Sequence, residues 1–236
     1  MRLHLGCGER YFPGYINLDY PLTEHSVQRK SVADQFANLL DLKYPAETID
    51  EVRLHHVFEH FSRPHACALL AGWNSWLKPK GILHIEVPDF EETAKAVLSS
   101  FASGQAQAVG LRHIFGSQEA HWAYHLEGYT AARLGKFLEQ FGFEVKNVGQ
   151  EKYLDTYNLE VIAEKKSSGT KDVFRRIAKS YLQGFMVADV ESERTLLEIW
   201  MRDFELQLNK SFASPPGEGN LGKNWMRDTV RESVAL

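Results

Sequence analysis

The stretch LHLGCG at residues 3–8, followed by PGYINLD at residues 13–19, decides the fold. Each half contains a short apolar run of strand length, and each run ends in a residue type suited to a ligand. The glycines of the first half let a ligand approach the backbone, whose free N–H groups can hold an anion. The aspartate that ends the second half can accept hydrogen bonds from both hydroxyls of a ribose. The stretch therefore predicts a ligand that contains a nucleoside.

A dinucleotide is the first alternative for that ligand. The third glycine of a G-x-G-x-x-G fingerprint would fall on Tyr11, and its acidic residue would follow about 20 residues on, beyond a full helix. Only residues 9–18 separate Gly8 from Asp19, and they contain a Pro-Gly pair. Because no helix fits there, we do not expect a pyrophosphate held on a helix N-terminus.

Residues 1–165 alternate between strand and helix patterns, which predicts a mainly parallel sheet covered on both faces. The last two strands are too close for a crossover helix, so we expect them to pair antiparallel. Strands are predicted at residues 3–5, 15–18, 51–55, 81–87, 143–148 and 159–163, with a strand or turn at 37–40. Helices are predicted from Pro64, over 90–101 and from Thr130, whereas residues 102–128 show no clean period.

A helical extension follows at residues 166–210, and the Ser-, Pro- and Gly-rich residues 211–236 are expected to form a mobile tail. Within the extension, an apolar stripe recurs at helical spacing: Leu197, Trp200, Phe204 and Leu208. Such a stripe must be covered, because each large side chain is worth roughly 1.5–3 kcal/mol when buried. The stripe must pack either on the core domain or on a second chain. Since residues 1–165 already complete a fold, we favour a homodimer formed through residues 190–210.

The composition excludes several classes of protein. Of 236 residues, 44% are hydrophobic and 25% charged, which excludes global disorder. Two cysteines rule out a disulfide framework and favour a reducing, cytoplasmic location, and no signal peptide is predicted at the N-terminus. No apolar run approaches the ~18 residues that span a bilayer. A net charge of -4 argues against a nucleic-acid partner.

Further motifs follow the opening stretch in order: DL at 41–42, IDEV at 49–52, HVFEH at 56–60, LKPKG at 77–81 and VPD at 87–89. Together with YH at 124–125, YT at 129–130 and GF at 142–143, they resemble class I S-adenosylmethionine-dependent methyltransferases. The similarity is to a small subfamily often associated with cell-surface glycan pathways, and it covers residues 2–165. It implies a Rossmann-like sheet with the last strand antiparallel, and S-adenosylmethionine as cofactor.

The resemblance also implies roles for individual residues. The cofactor-binding set comprises Gly6, Cys7 and Gly8 at the methionine end, Asp19 at the ribose, Asp41 and Leu42 at the adenine, and His56 beside the methyl group. One departure concerns His4 and Leu5, where many relatives carry an acidic residue that binds the methionine amine. The amine must therefore be bound by other groups.

The acceptor is expected beside residues 112–125, a segment rich in histidine and aromatic side chains. The alternative is an ordinary surface loop. A hydroxyl acceptor needs a general base, and we rank His125 first, His56 second and Asp89 third. The substrate-binding candidates are His113, His121, Trp122 and Tyr124.

Residues 56–60 also match H-x-x-E-H, a zinc-peptidase pattern. That chemistry needs both histidines one turn apart on a helix, whereas this motif directly follows a predicted strand. We therefore expect no metal, and expect Glu59 and His60 to orient the loop through hydrogen bonds.

These inferences predict a methyltransferase acting on oxygen, or secondarily nitrogen, of a small-molecule or carbohydrate acceptor, in the setting of polysaccharide biosynthesis. A catalytically degenerate cofactor-binding domain that serves an assembly is the first alternative. An RNA or protein methyltransferase is the second, and the acidic charge balance counts against it.

Overall fold

A computed structural model describes residues 1–21, 23, 27, 30–154 and 156–213. The strands are β1 (Arg2–Leu5), β2 (Ile16–Asp19), β3 (Gln35–Phe36), β4 (Ile49–His55), β5 (Leu77–Pro88), β6 (Phe143–Tyr153) and β7 (Thr156–Lys165). The helices are α1 (Arg63–Trp76), α2 (Phe90–Val97), α3 (Gly104–Phe115), α4 (Ala131–Gln140), α5 (Lys171–Gln183) and α6 (Glu191–Ser211). Two 3₁₀ turns, Leu39–Asp41 and Phe58–His60, follow β3 and β4. None of the described helices has the length and apolar character that crossing a membrane requires.

The seven strands form one sheet in the order β3-β2-β1-β4-β5-β7-β6. Neighbouring strands from β3 to β5 are parallel, whereas β7 is antiparallel to both β5 and β6. The predicted fold is confirmed: this is the Rossmann-like sheet of class I methyltransferases. The carboxyl ends of β1, β2 and β4 meet at one edge, which brings the loops after Leu5, Asp19 and His55 together.

The region between β5 and α4 differs from the prediction. The helix expected over 90–101 ends at Val97, and α3 occupies a segment that shows no clean period in the sequence. The Ser103 hydroxyl accepts a hydrogen bond from the Ala106 N–H at 3.1 Å, and Gly116 ends α3 with a φ of 85°. Only Gly110 of α3 is fully buried, so the helix carries little of the apolar periodicity that reveals helices in a sequence.

The C-terminal extension packs on its own chain. Helices α5 and α6 both contact α1, and Phe204 and Leu208 have no exposed surface. Small residues on α1 permit this approach, since a Cβ added to Gly72 would lie 2.9 Å from the Cβ of Ser211. Phe204 and Leu208 of the apolar stripe are therefore covered within the chain, and a homodimer formed through residues 190–210 stays a prediction.

Helix α6 also reaches the edge of the sheet where the loops converge. The Gln207 side-chain amide donates a hydrogen bond of 2.8 Å to the carbonyl oxygen of Leu40, in the 3₁₀ turn after β3. The division of the chain at residues 165 and 210 stays a prediction, although α5 and α6 share one hydrophobic cluster with the sheet. Of the expected mobile tail, residues 214–236 lie outside the described residues.

Candidate active site

The tight loop after β1 depends on its two glycines, Gly6 and Gly8. Gly6 and Gly8 have φ angles of +69° and +54°, a region that favours glycine. A Cβ added to Gly6 would lie 2.3 Å from Cγ2 of Val57, so the loop after β4 packs directly on this backbone. At Gly8 an added Cβ would meet nothing within 4 Å, and this residue faces open space. The loop therefore exposes backbone to a ligand at Gly8.

Asp19, at the end of β2, is held against this loop. One carboxylate oxygen, Oδ2, accepts a hydrogen bond from the Gly8 N–H at 3.0 Å, and Oδ1 accepts one from the Tyr20 N–H at 2.8 Å. The side chain is almost fully buried, and it lines a cavity of about 630 Å³. The glycine loop and the acidic residue thus form one site, as the sequence predicts.

This cavity is the larger of two that adjoin each other. Six of the residues predicted from the sequence line it: Gly6, Gly8, Asp19, His56, His121 and Trp122. Asn38, Leu39 and Leu40 line this cavity, whereas Asp41 and Leu42, the two residues predicted to contact adenine, do not. Asp41 is exposed, and its carboxylate forms an ion pair with the Lys210 ammonium at 3.0 Å. Leu42 is part of the hydrophobic core.

Cys7 lies between the two glycines, yet it does not line the larger cavity. Its N–H donates to the Leu18 carbonyl at 2.9 Å, and its side chain is buried. Burial raises the pKa of the Cys7 thiol to about 12. The thiol is therefore a protonated packing group and not a nucleophile.

A second cavity, of about 540 Å³, adjoins the first. The two share Val27, His56 and Glu119. The smaller cavity contains His113 and His125, both predicted to lie near the acceptor. Charged side chains of both signs complete its wall: Arg10, Glu86, Arg112 and Glu151.

His56 separates the two cavities in an unusual conformation, with a φ of +52°. Its Nδ1 lies 3.4 Å from Oε1 of Glu59, and its Nε2 lies 3.4 Å from Oε1 of Glu86. Burial by itself would lower the pKa of His56, but the two carboxylates outweigh that effect and raise the pKa to about 9. At neutral pH this imidazole is a cation, which makes it a poor general base.

His125 differs from His56 in its protonation. Its Nδ1 lies 3.0 Å from the carbonyl oxygen of His113, so that nitrogen carries the proton of the neutral ring. Burial lowers the pKa of His125, and the ring is neutral at pH 7 with a lone pair on Nε2. His113 is likewise bound to a carbonyl, since its Nε2 lies 2.9 Å from the oxygen of Tyr157.

Two further predicted residues line neither cavity. Asp89 is buried, and its carboxylate accepts hydrogen bonds from the Glu92 N–H at 3.1 Å and the Gln150 amide at 2.6 Å. It caps helix α2, because the N-terminus of that helix attracts a carboxylate. Tyr124 is 45% exposed, outside both walls.

Sequence reasoning missed the carboxylate of Glu86, whereas it did expect Glu59 to orient the loop after β4. Glu86 lies inside the apolar strand β5, and a charged residue in that position was the available signal. The Glu59 carbonyl accepts hydrogen bonds from the N–H groups of Leu126 and Glu127, at 2.8 and 3.2 Å. These bonds attach the segment after α3 to the loop after β4.

Neither a protein-family description nor a curated protein sequence matches this chain. Among solved structures, it is similar to a Haloferax volcanii protein assigned as a methyltransferase, in complex with the methyltransferase activator Trm112, at 17% identity, over 70% of this chain and 82% of that chain, with a TM-score of 0.48. It is also similar to 1,6-didemethyltoxoflavin-N1-methyltransferase of Burkholderia thailandensis, solved with bound 1,6-didemethyltoxoflavin and S-adenosylhomocysteine. The identity is 16% over 70% of this chain and 71% of that chain, with a TM-score of 0.47. A third similar structure is an S-adenosylmethionine-dependent methyltransferase from Mesorhizobium loti, at 16% identity, over 69% and 90%, with a TM-score of 0.45. At these identities the similarity concerns the fold alone.

Proposed function

We propose that this chain is an S-adenosylmethionine-dependent methyltransferase that acts on an oxygen of a small-molecule or carbohydrate acceptor. The observation that carries the proposal is the pair of adjoining cavities, which meet at His56. A transferase needs two such sites, because donor and acceptor must be bound together and in line. The volume of the larger cavity lies within the usual range of roughly 300–1,000 Å³ for small-molecule sites.

The residues of the larger cavity fit the cofactor. Gly8 leaves room for close approach to its backbone, and Asp19 is oriented by two N–H groups beside that backbone. In this proposal Asp19 binds the ribose hydroxyls, and the 3₁₀ turn at Leu39–Asp41 borders the adenine. The cofactor, when bound, supplies an electrophilic methyl group.

In the smaller cavity, His125 is the proposed general base. Nε2 of this neutral ring would take the proton from the acceptor hydroxyl, while Nδ1 keeps its hydrogen bond to the His113 carbonyl. His56 is proposed as a fixed cation that stabilises negative charge developing on the acceptor oxygen. The charged and polar wall of this cavity suits a polyhydroxylated acceptor, which supports a carbohydrate and a role in surface-glycan synthesis.

Cofactor binding is tested by titration calorimetry with S-adenosylhomocysteine. Asp19→Asn keeps the side-chain volume but removes the charge, and should weaken binding by about 2–4 kcal/mol, or roughly 30- to 700-fold. The matched control is Asp50→Asn, at an exposed carboxylate paired with Lys78 far from the cavity. Asp41→Asn in the same series tests the adenine contact predicted from the sequence. Equal affinities for Asp19→Asn and Asp50→Asn would exclude the ribose assignment.

The base is tested by release of S-adenosylhomocysteine in the presence of a panel of sugar and small hydroxyl acceptors. His125→Asn should lower turnover by roughly 10²- to 10⁴-fold while cofactor affinity is unchanged. Asp50→Asn, which lies outside both cavities, is again the control. Normal turnover in His125→Asn together with loss in His56→Asn would move the role to His56. Absence of turnover with every acceptor, despite cofactor binding, would favour the catalytically degenerate alternative.

A further inference from the structure

Three side chains that can ligate a metal converge between the two cavities. Glu59, His60 and His125 each offer one ligand atom, and these atoms lie within 4.8 Å of one another. His60 lines the larger cavity and His125 the smaller one. The cluster is therefore accessible from both.

The carboxylate of Glu59 lacks hydrogen-bond donors. The residue is 1% exposed, and neither carboxylate oxygen accepts a hydrogen bond from the described residues. Two ring nitrogens lie near Oε1: Nδ1 of the charged His56 at 3.4 Å and Nε2 of the neutral His125 at 3.8 Å. His56 supplies a charge, but burial of a carboxylate is unfavourable unless it is also hydrogen-bonded, so this side chain calls for a further partner.

Both histidines of the cluster have one ring nitrogen bound to the backbone. Nδ1 of His60 lies 3.0 Å from the Tyr124 carbonyl, and Nδ1 of His125 lies 3.0 Å from the His113 carbonyl. A carbonyl cannot donate a proton, so each Nδ1 donates, and Nε2 is the ring nitrogen left available to a metal. Metal-binding histidines are held in this way, with the second nitrogen donating to a carbonyl or carboxylate.

The cluster thus brings together electron-pair donors from a carboxylate and two imidazoles, without a proton donor fixed among them. We propose that Glu59, His60 and His125 bind one divalent transition-metal ion, of which Zn²⁺ is the best match. Two imidazoles and one carboxylate form a known ligand set for zinc with an open coordination position. Ligand atoms of tetrahedral zinc lie about 3.3 Å apart, so the side chains need to close by about 1.5 Å at most.

This site differs from the zinc-peptidase pattern in the sequence. The pattern would use His56 and His60 on one helix, whereas His56 here contacts Glu59 and Glu86 as a charged partner. The third ligand, His125, comes from the segment that the Glu59 carbonyl attaches to the loop. Because His60 and His125 line the cavities, water or an acceptor oxygen could reach a bound metal from there.

The inference does not depend on methyl transfer, because metal binding is measured without cofactor or acceptor. With zinc bound, the His125 lone pair is occupied and cannot accept a proton. A loaded site would instead ionise an acceptor hydroxyl at the metal, which lowers the pKa of bound hydroxyl groups.

The experiment uses the full, tag-free chain, stripped with a chelator and dialysed against Zn²⁺ in the presence of a weak competing ligand. Elemental analysis should give one zinc per chain, and zinc should raise the melting temperature. Glu59→Gln, His60→Asn and His125→Asn should each weaken zinc binding by roughly 10- to 100-fold or more. His121→Asn and His65→Asn are matched controls outside the cluster, and should bind zinc as the unmodified chain does.

Circular dichroism of each variant establishes that it is folded, and the nearly isosteric Glu59→Gln keeps the test valid if a histidine variant unfolds. The absorption spectrum of the Co²⁺-loaded chain gives a second readout, since four-coordinate nitrogen and oxygen ligation has intense visible bands that should vanish in Glu59→Gln. Absence of zinc from the unmodified chain would overturn the proposal. Stoichiometric zinc in all folded cluster variants would overturn it as well.

Discussion

Gly6→Ala should destabilise the chain through two separate effects. Gly6 has a φ of +69°, in the left-handed region of the backbone map. A residue with a side chain loses roughly 1–2 kcal/mol in that conformation, and so would an alanine here. The added Cβ would also lie 2.3 Å from Cγ2 of Val57, and such overpacking costs typically about 1–3 kcal/mol. We therefore expect Gly6→Ala to lower the free energy of unfolding by about 2–5 kcal/mol, measured by urea denaturation.

Gly14→Ala separates the two effects. Gly14 has a φ of +84°, but an added Cβ there would meet nothing within 4 Å, so only the backbone cost of roughly 1–2 kcal/mol remains. In the double variant Gly6→Ala/Val57→Ala, the overpacking should be relieved, giving a favourable coupling energy of about 1–3 kcal/mol. If Gly6→Ala is no more destabilising than Gly14→Ala, or if the coupling is absent, the loops after β1 and β4 are not packed as described.

Three further predictions concern stability. His4 is buried, and burial lowers its pKa to about 4. The neutral ring therefore stabilises the fold fully above pH ~6.5, and this contribution of up to about 3 kcal/mol is lost as pH falls towards 4. In urea denaturation between pH 7 and 4, His4→Gln should lose less free energy of unfolding than the unmodified chain. Asn74→Ala should cost about 2–4 kcal/mol in the same assay, because its amide donates to the Phe141 and Ser167 carbonyls at 2.9 and 2.8 Å. Phe204→Ala should lower the free energy of unfolding by about 3–5 kcal/mol, because the ring is buried against the same chain, and sedimentation should give the same mass for the variant and the unmodified chain. A stability that depends on protein concentration would instead indicate a dimer.

The parts of the site that lie close together in the chain could be predicted from the sequence. Gly6, Gly8 and Asp19 sit at the ends of two adjacent parallel strands, and strand ends are marked locally by glycine and acidic residues. The positions of most strands along the chain followed from alternating patterns, and the antiparallel pair β6–β7 followed from the short connection between them. These features depend on few long-range contacts.

The contacts between distant segments could not be predicted in the same way. The partner of Asp41 is Lys210, and Nε2 of His125 lies 3.8 Å from Oε1 of Glu59; no spacing rule connects either pair. For α1 a signal did exist: the helix is apolar on nearly all sides, which is typical of a helix buried between two layers. That pattern favoured a second covering element, and α6 provides it.

The hydrogen bond from Gln207 to Leu40 links helix α6 to the wall of the larger cavity. Leu40 lines the larger cavity, so the docked position of α6 and the shape of that cavity are coupled through one amide–carbonyl contact. Coupling of this kind is reciprocal. A ligand that stabilises the 3₁₀ turn at Leu39–Asp41 in its present position must also stabilise the docked helix, by the same free energy. Occupancy of the cavity should therefore slow amide hydrogen exchange along α6, on the far side of the 3₁₀ turn from the bound molecule.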